Sequence, residues 1–190
     1  MAQSKILVDT NAYLRLAKTI RPLLFSPFGG KDSGTEDEFC LYILPELNKE
    51  LQSHRLISSF PWIEEAEYCD NRKHFPTIGK KAKKSIEQTR GYLWDYVQTD
   101  CPGPSKVDAL YIAYGLELDI PVVTDDQDMV ELALEFDCKV MPTLEVLKIM
   151  FDCGHTDMKT IQGLVDYWRY MSDRPANLEK DFARFFSEHC

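Results

Sequence analysis

Apolar positions along the chain fall into two periodicities that take turns. Ile6-Leu7-Val8 is a short continuous apolar run, and with Lys5 and Asp9 around it the stretch predicts a buried strand that ends in a carboxylate. Asn11 to Lys18 then begins a helix. Residues 26–38 (SPFGGKDSGTEDE) are rich in turn formers and predict a loop. Cys40 to Leu44 is a second apolar strand, and Pro45 opens a helix that carries Leu47 and Leu51 on one face, since proline suits a first helical turn.

The strongest helical pattern follows, with Ile78, Ala82, Ile86, Leu93 and Val97 on one stripe. Asp100-Cys101-Pro102-Gly103-Pro104 breaks it, and Ser105 starts another helix whose stripe is Val107, Leu110, Tyr111, Tyr114 and Leu118. Ile120 to Thr124 predicts a third strand, Met129 to Phe136 a helix, Lys139 to Met141 a fourth strand, and Thr143 to Phe151 a further helix. Strands alternating with helices predict an α/β fold around a parallel sheet. Beyond Gly154 the pattern becomes two amphipathic helices, Ile161/Leu164/Val165/Trp168 and Leu178/Phe182/Phe185/Phe186. The expected organisation is therefore a domain over 1–154 and a helical extension over 155–190, packed on that domain or on a partner.

Composition narrows the classes. With 44% hydrophobic residues, the 190-residue chain can bury a core. No apolar run approaches the ~20 residues of a membrane span, and the apolar stretch after Met1-Ala2-Gln3-Ser4-Lys5 is too short for a signal peptide, so a cytoplasmic protein without a membrane partner is expected. Cys40, Cys69, Cys101, Cys138, Cys153 and Cys190 are scattered without a Cys-x-x-Cys pair, which predicts reduced, mostly buried thiols rather than a zinc site.

The net charge of −9 hides a segregation. Arg72, Lys73, Lys80, Lys81, Lys83, Lys84 and Arg90 face only Glu87 within 72–90, a balance of +6, which leaves −15 on the remainder. A basic strip on an acidic body suits a nucleic-acid enzyme whose carboxylates hold cations; Lys80, Lys81, Lys83 and Lys84 are the candidate phosphate contacts, with a solvated helix face as the bland alternative.

Parallel α/β sheets collect function at the carboxyl ends of their strands. Asp9 ends the first predicted strand, Asp125, Asp126 and Asp128 follow the third, and Asp108 lies in the first turn of the helix that feeds it. Two such charges about 5 Å apart at an effective dielectric near 20 repel by roughly 3 kcal/mol, so a cluster calls for protons or cations. Hard oxygen donors favour Mg²⁺ or Mn²⁺. Each acid also has a structural reading: Asp9 as a turn cap, Ser105/Asp108 as a capping box, Glu50 as a solvated helix residue with Glu46 in competition.

Four segments carry a resemblance. Ile6-Leu7-Val8-Asp9-Thr10-Asn11 resembles the opening motif of PIN-domain nucleases; Leu44-Pro45 through Lys49-Glu50-Leu51, Ser105 through Ala113, and Val122-Val123-Thr124-Asp125-Asp126 resemble the second, third and fourth. The resemblance covers residues 5 to about 150. It implies a three-layer PIN-like domain with a central parallel sheet of four or five strands, and a divalent-metal site that hydrolyses RNA to 5′-phosphate and 3′-hydroxyl ends. It also implies the toxin of a VapC-like toxin–antitoxin pair, with an antitoxin partner and a homodimer. On that pattern Asp9, Glu50, Asp108 and Asp126 are the catalytic carboxylates, Asp9, Asp108, Asp126 and Asp128 the metal ligands, and Asn11 and Thr124 polar supports. The long second-to-third spacing and the C-terminal helices depart from a minimal toxin. Two rivals stand beside it. A haloacid-dehalogenase-like phosphatase would need an acid two residues after Asp9, where Asn11 stands. A non-catalytic PIN-like RNA-binding or regulatory module would bind metal without turnover.

Overall fold

The computed structural model of the chain describes residues 3–171 and 174–187; Cys190 lies outside them. The apolar run at the start forms β1 (Gln3–Val8), followed by α1 (Thr10–Leu16). β3 (Glu38–Tyr42) pairs with it in parallel, as does β4 (Val122–Val123), and β5 (Val140–Met141) pairs in parallel with β4. The expected wholly parallel sheet is corrected by one strand. β2 (Phe28–Gly29), inside the stretch expected to be loop, runs antiparallel to β3 and closes one edge of the order β2-β3-β1-β4-β5. Gly29 and Gly30 take positive φ there, and a Cβ at Gly29 would meet the Asp37 carbonyl oxygen at 2.5 Å, so only glycine turns the chain into this strand.

Helices cover both faces. The helix expected at Pro45 is α2 (Leu47–Leu51), entered through a turn. It leads through α3 (His54–Ser59), a 3-10 turn (Pro61–Glu64) and α4 (Ala66–Asn71), none of which the apolar pattern announced. α5 (Lys80–Thr99) and α6 (Lys106–Leu118) follow, then α7 (Gln127–Glu135), α8 (Thr143–Asp152), α9 (Met158–Tyr170) and α10 (Leu178–Phe186).

The period-two alternation of each strand divides the core. Ile6, Val8, Leu41, Ile43 and Val123 point to one side, where α1, α8, α9 and α10 pack. Leu7, Cys40, Tyr42, Leu44 and Val122 point to the other, under α5, α6 and α7. Gly115 lets α6 approach closely, since a Cβ there would meet Cys138 Sγ at 2.7 Å and Val122 Cγ2 at 2.9 Å. The C-terminal helices are not a separate body: Ile161, Val165, Trp168, Leu178 and Phe186 are buried in the same cluster as Ile6 and Val8. Each such side chain taken from water contributes roughly 2 kcal/mol. Among the described residues no helix is long and apolar enough to cross a membrane, and Cys40, Cys69, Cys101, Cys138 and Cys153 are free thiols.

Candidate active site

Three helices begin where β1 and β4 end, and an acid caps each of them. Asp9 leaves β1 and accepts the Ala12 amide on Oδ1 at 2.6 Å, opening α1. Asp108 closes a capping box with Ser105, taking the Ser105 amide on Oδ2 at 2.6 Å while the Ser105 hydroxyl accepts the Val107 and Asp108 amides. Asp126 opens α7 through the Met129 amide at 3.1 Å. Capping and a site role are therefore compatible in all three residues. Each cap uses the partial positive charge of a helix start to hold an anion.

The three acids share one cavity of about 500 Å³ with Glu50, Thr10, Asn11, Ser53, Arg55, Leu56 and Tyr111. Four carboxylates from four stretches of sequence thus face the same cleft, the arrangement expected if distant acids fold together. Glu50 is preferred over Glu46: it lines the cleft and accepts the Thr10 hydroxyl at 2.5 Å, whereas Glu46 lies outside the lining. Asn11 is exposed at the rim, and Thr124 sits beneath, only 2% exposed. The Thr124 hydroxyl bonds the Asp9 carboxylate and accepts the Asp126 amide at 3.1 Å, so it ties the end of β1 to the start of α7.

Burial sets the electrostatics. Asp9 is pushed up to about 7, chiefly by loss of solvent and further by Asp125; the Thr124 hydroxyl, the Ala12 amide and Arg15 pull the other way. Asp108 is also raised, first by burial and then by Asp126 and Asp128, against the Ser105 hydrogen bonds. An acid held near neutrality inside a cleft of other acids is a site that a proton or a cation would relieve.

The neighbouring acids separate by environment. Asp125 turns inward, where it pairs with Arg15 at 3.1 Å and accepts the Thr143 amide at 3.0 Å and hydroxyl at 2.5 Å. Its role is structural, and Asp126 is the one that faces the cleft. Asp128 is exposed and does not line the cavity; it lies against the α5–α6 loop, where a Cβ on Gly103 would meet its carboxylate at 2.6 Å.

The basic strip is elsewhere. Ser85 and Thr89 of α5 bond Glu117 near the end of α6, and Lys106 at the start of α6 lies over Trp94, so the two helices run antiparallel. Lys80, Lys81, Lys83 and Lys84 therefore stand exposed at the amino end of the sheet, opposite the cleft. Arg72, counted with them by sequence, is buried instead and donates to Tyr13 Oη, Asn48 Oδ1 and the Ile63 carbonyl. The cation that does reach the cleft is Arg55, from a short helix without a periodic signal. Tyr111, by sequence one of an apolar stripe, also lines the cleft, with its hydroxyl accepting the Leu44 amide at 3.4 Å. Nothing in its own spacing marks that role.

No protein-family model matches this chain. No curated protein and no solved structure matches it either. The donors of the cleft are hard carboxylate oxygens suited to a divalent cation. As the side chains stand, no three Asp, Glu, His or Cys groups among the described residues are grouped so as to hold one ion. The chemistry of the donor set, carboxylate oxygens gathered in one cleft, is that of a site for a hard cation.

Proposed function

We propose that the chain is a Mg²⁺- or Mn²⁺-dependent endoribonuclease of PIN-like organisation. The observation that carries this reading is the convergence of Asp9, Glu50, Asp108 and Asp126 on one cleft at the carboxyl end of a largely parallel sheet. Asp9, Asp108 and Asp126 are the residues that would hold the cation. Bound there, such an ion would supply Lewis-acid polarisation of a phosphodiester and a lowered pKa for an attacking water.

The chain's own groups supply the rest. The helix starts at Asp9, Asp108 and Asp126 keep the carboxylates in place, and Thr124 links the Asp9 carboxylate to the backbone amide of Asp126. Glu50, oriented by Thr10, is the assigned acceptor of the water's proton. Arg55 is the cation at the rim that meets the phosphate, and Asn11 is a polar contact beside it. The products would carry 5′-phosphate and 3′-hydroxyl ends. An antitoxin-type partner and a homodimer belong to the same proposal, and co-purification with a small inhibitory protein would support the first.

Purified protein incubated with labelled RNA and Mn²⁺ tests the reading. Metal-dependent cleavage that Asp9→Asn and Asp108→Asn abolish supports it. No cleavage by the native chain, or undiminished cleavage by those variants, overturns it; Mn²⁺ binding without turnover would mark a non-catalytic module instead.

A further inference from the structure

A second, larger cavity of about 1130 Å³ lies along α1, walled by the Ser59–Trp62 segment on one side and α9 on the other. On α1, Thr10 and Asn11 face the cleft, while Leu14 and Arg15, one turn on, and Lys18 just past the helix end line the groove. α3 runs beside them in the same sense, with Arg55 and Leu56 at the cleft and Ser59 at the groove. The two concavities thus follow one another, a helical turn apart, along the same faces of α1 and α3.

The groove's charge is opposite to the cleft's. Arg15, Lys18, Arg21 and Lys159 line it against Glu65 and Asp157, a surplus of two positive charges on a chain whose net charge is −9. Arg15 is engaged by Asp125, and Asp157 caps α9 through the Thr160 amide at 2.7 Å. Lys18, Arg21 and Lys159 are exposed. Beside them lie Tyr167, a residue 56% exposed, and Phe60, half-buried. Exposed cations alternating with an accessible aromatic face are what a flexible polyanion with flat bases requires. The volume exceeds the roughly 300–1,000 Å³ of small-molecule sites, so an extended occupant suits it.

We propose that this groove carries the single-stranded nucleic-acid chain as it leaves the acidic cleft, with phosphates on Lys18, Arg21 and Lys159 and a base stacked on Tyr167. For its occupant the proposal rests on the nuclease reading. It assigns the phosphate contacts to the groove rather than to the lysines of α5. A duplex does not expose base faces for Tyr167, so unpaired strands are the substrate class.

The test is fluorescence anisotropy of a labelled 15-nucleotide oligouridylate with the full chain, in EDTA so that no strand is cut. Lys18→Gln/Lys159→Gln should weaken binding roughly tenfold, and should flatten the dependence of log affinity on log salt by about 1.4 for two lost phosphate contacts. Tyr167→Ala should weaken it by about fivefold or more, as loss of one base stack does. All three side chains are exposed, so the variants keep the core intact. The charge-matched Lys83→Gln/Lys84→Gln control should stay within about twofold of native, since those lysines lie at the other end of the sheet. Native-like binding by the groove variants, an equal loss in the α5 control, or no binding by the native chain overturns the proposal. Cleavage by the native chain with Mn²⁺ is scored separately. Binding through the groove without cleavage sinks the nuclease reading alone; cleavage with unaffected groove variants sinks the groove alone.

Discussion

At the carboxyl end of the sheet, Asp9, Asp108 and Asp126 cap three helices around one cleft; at the amino end, Lys80, Lys81, Lys83 and Lys84 stand on the solvent side of a long helix. Both regions concentrate one sign of charge, yet they cost the fold different amounts. The lysines are exposed, and their mutual repulsion is screened over about 8–10 Å. Asp9 is 5% exposed and is pushed up to about 7, so its ionisation works against the fold. The difference teaches where to look for chemistry. Charge that water relieves carries little information, while charge that burial strains marks the candidate site.

Four measurements bear on that contrast. The largest is kinetic: Asp9→Asn or Asp108→Asn should lower RNA hydrolysis by roughly two to four orders of magnitude, the range for losing a group that acts on the reacting atoms. Lys80→Gln/Lys81→Gln should change the rate by less than about twofold, because a solvated charge at the far end contributes only screened attraction. Rates measured side by side in Mn²⁺ check both, and equal losses would erase the distinction between the two ends.

The second is the pH dependence of stability without divalent cations. Asp9 titrates near 7 in the folded chain and about 3.9 when unfolded, so the folded state holds the extra proton between these values. Stability is therefore greatest at low pH within that window and falls as pH rises from about 4 to about 7, by up to roughly 4 kcal/mol. Asp108, also raised, adds to the same slope. Urea denaturation at pH 5 and pH 8 should show the fall, Asp9→Asn should remove most of it, and Mn²⁺ should restore stability at pH 8. A flat profile in the native chain would contradict the burial argument.

Third, two adjacent acids should part company. Asp125→Ala breaks a buried pair with Arg15 and two hydrogen bonds to Thr143, and should cost about 3 kcal/mol. Asp126→Ala removes an exposed cap and should cost about 1 kcal/mol. Denaturation midpoints decide this, and equal losses would mean that the inward and outward assignments are mistaken. Smallest of all, Lys83→Gln should shift stability by less than about 0.5 kcal/mol in the same experiment.

How much of this was legible depends on whether the signal was local. Ile6-Leu7-Val8 followed by Asp9, and Val122-Val123 followed by Asp126, announce strand ends and helix starts within a few residues. Placing those ends on the same side of a sheet requires only that the strands run parallel, so the convergence of Asp9, Asp108 and Asp126 could be inferred. β2 could not, because two residues turned by glycines carry no period. Nor could Arg72: its surroundings in sequence are basic, but its partners Tyr13, Asn48 and Ile63 come from elsewhere in the chain. Arg55 and the groove were hidden for the same reason. α3 is too short to show periodicity, and the groove exists only once α9 packs beside α1.

The proposed nuclease depends on one cleft binding a divalent cation through acids brought together by the fold. Titration of Mn²⁺ followed by electron paramagnetic resonance at pH 7.5 reads this directly, without turnover. The expected result is saturable binding that Asp9→Asn, Asp108→Asn and Asp126→Asn each weaken by about tenfold or more, with no change in Lys80→Gln/Lys81→Gln. Binding that survives all three acid substitutions unchanged, or the absence of binding by the native chain, would contradict it.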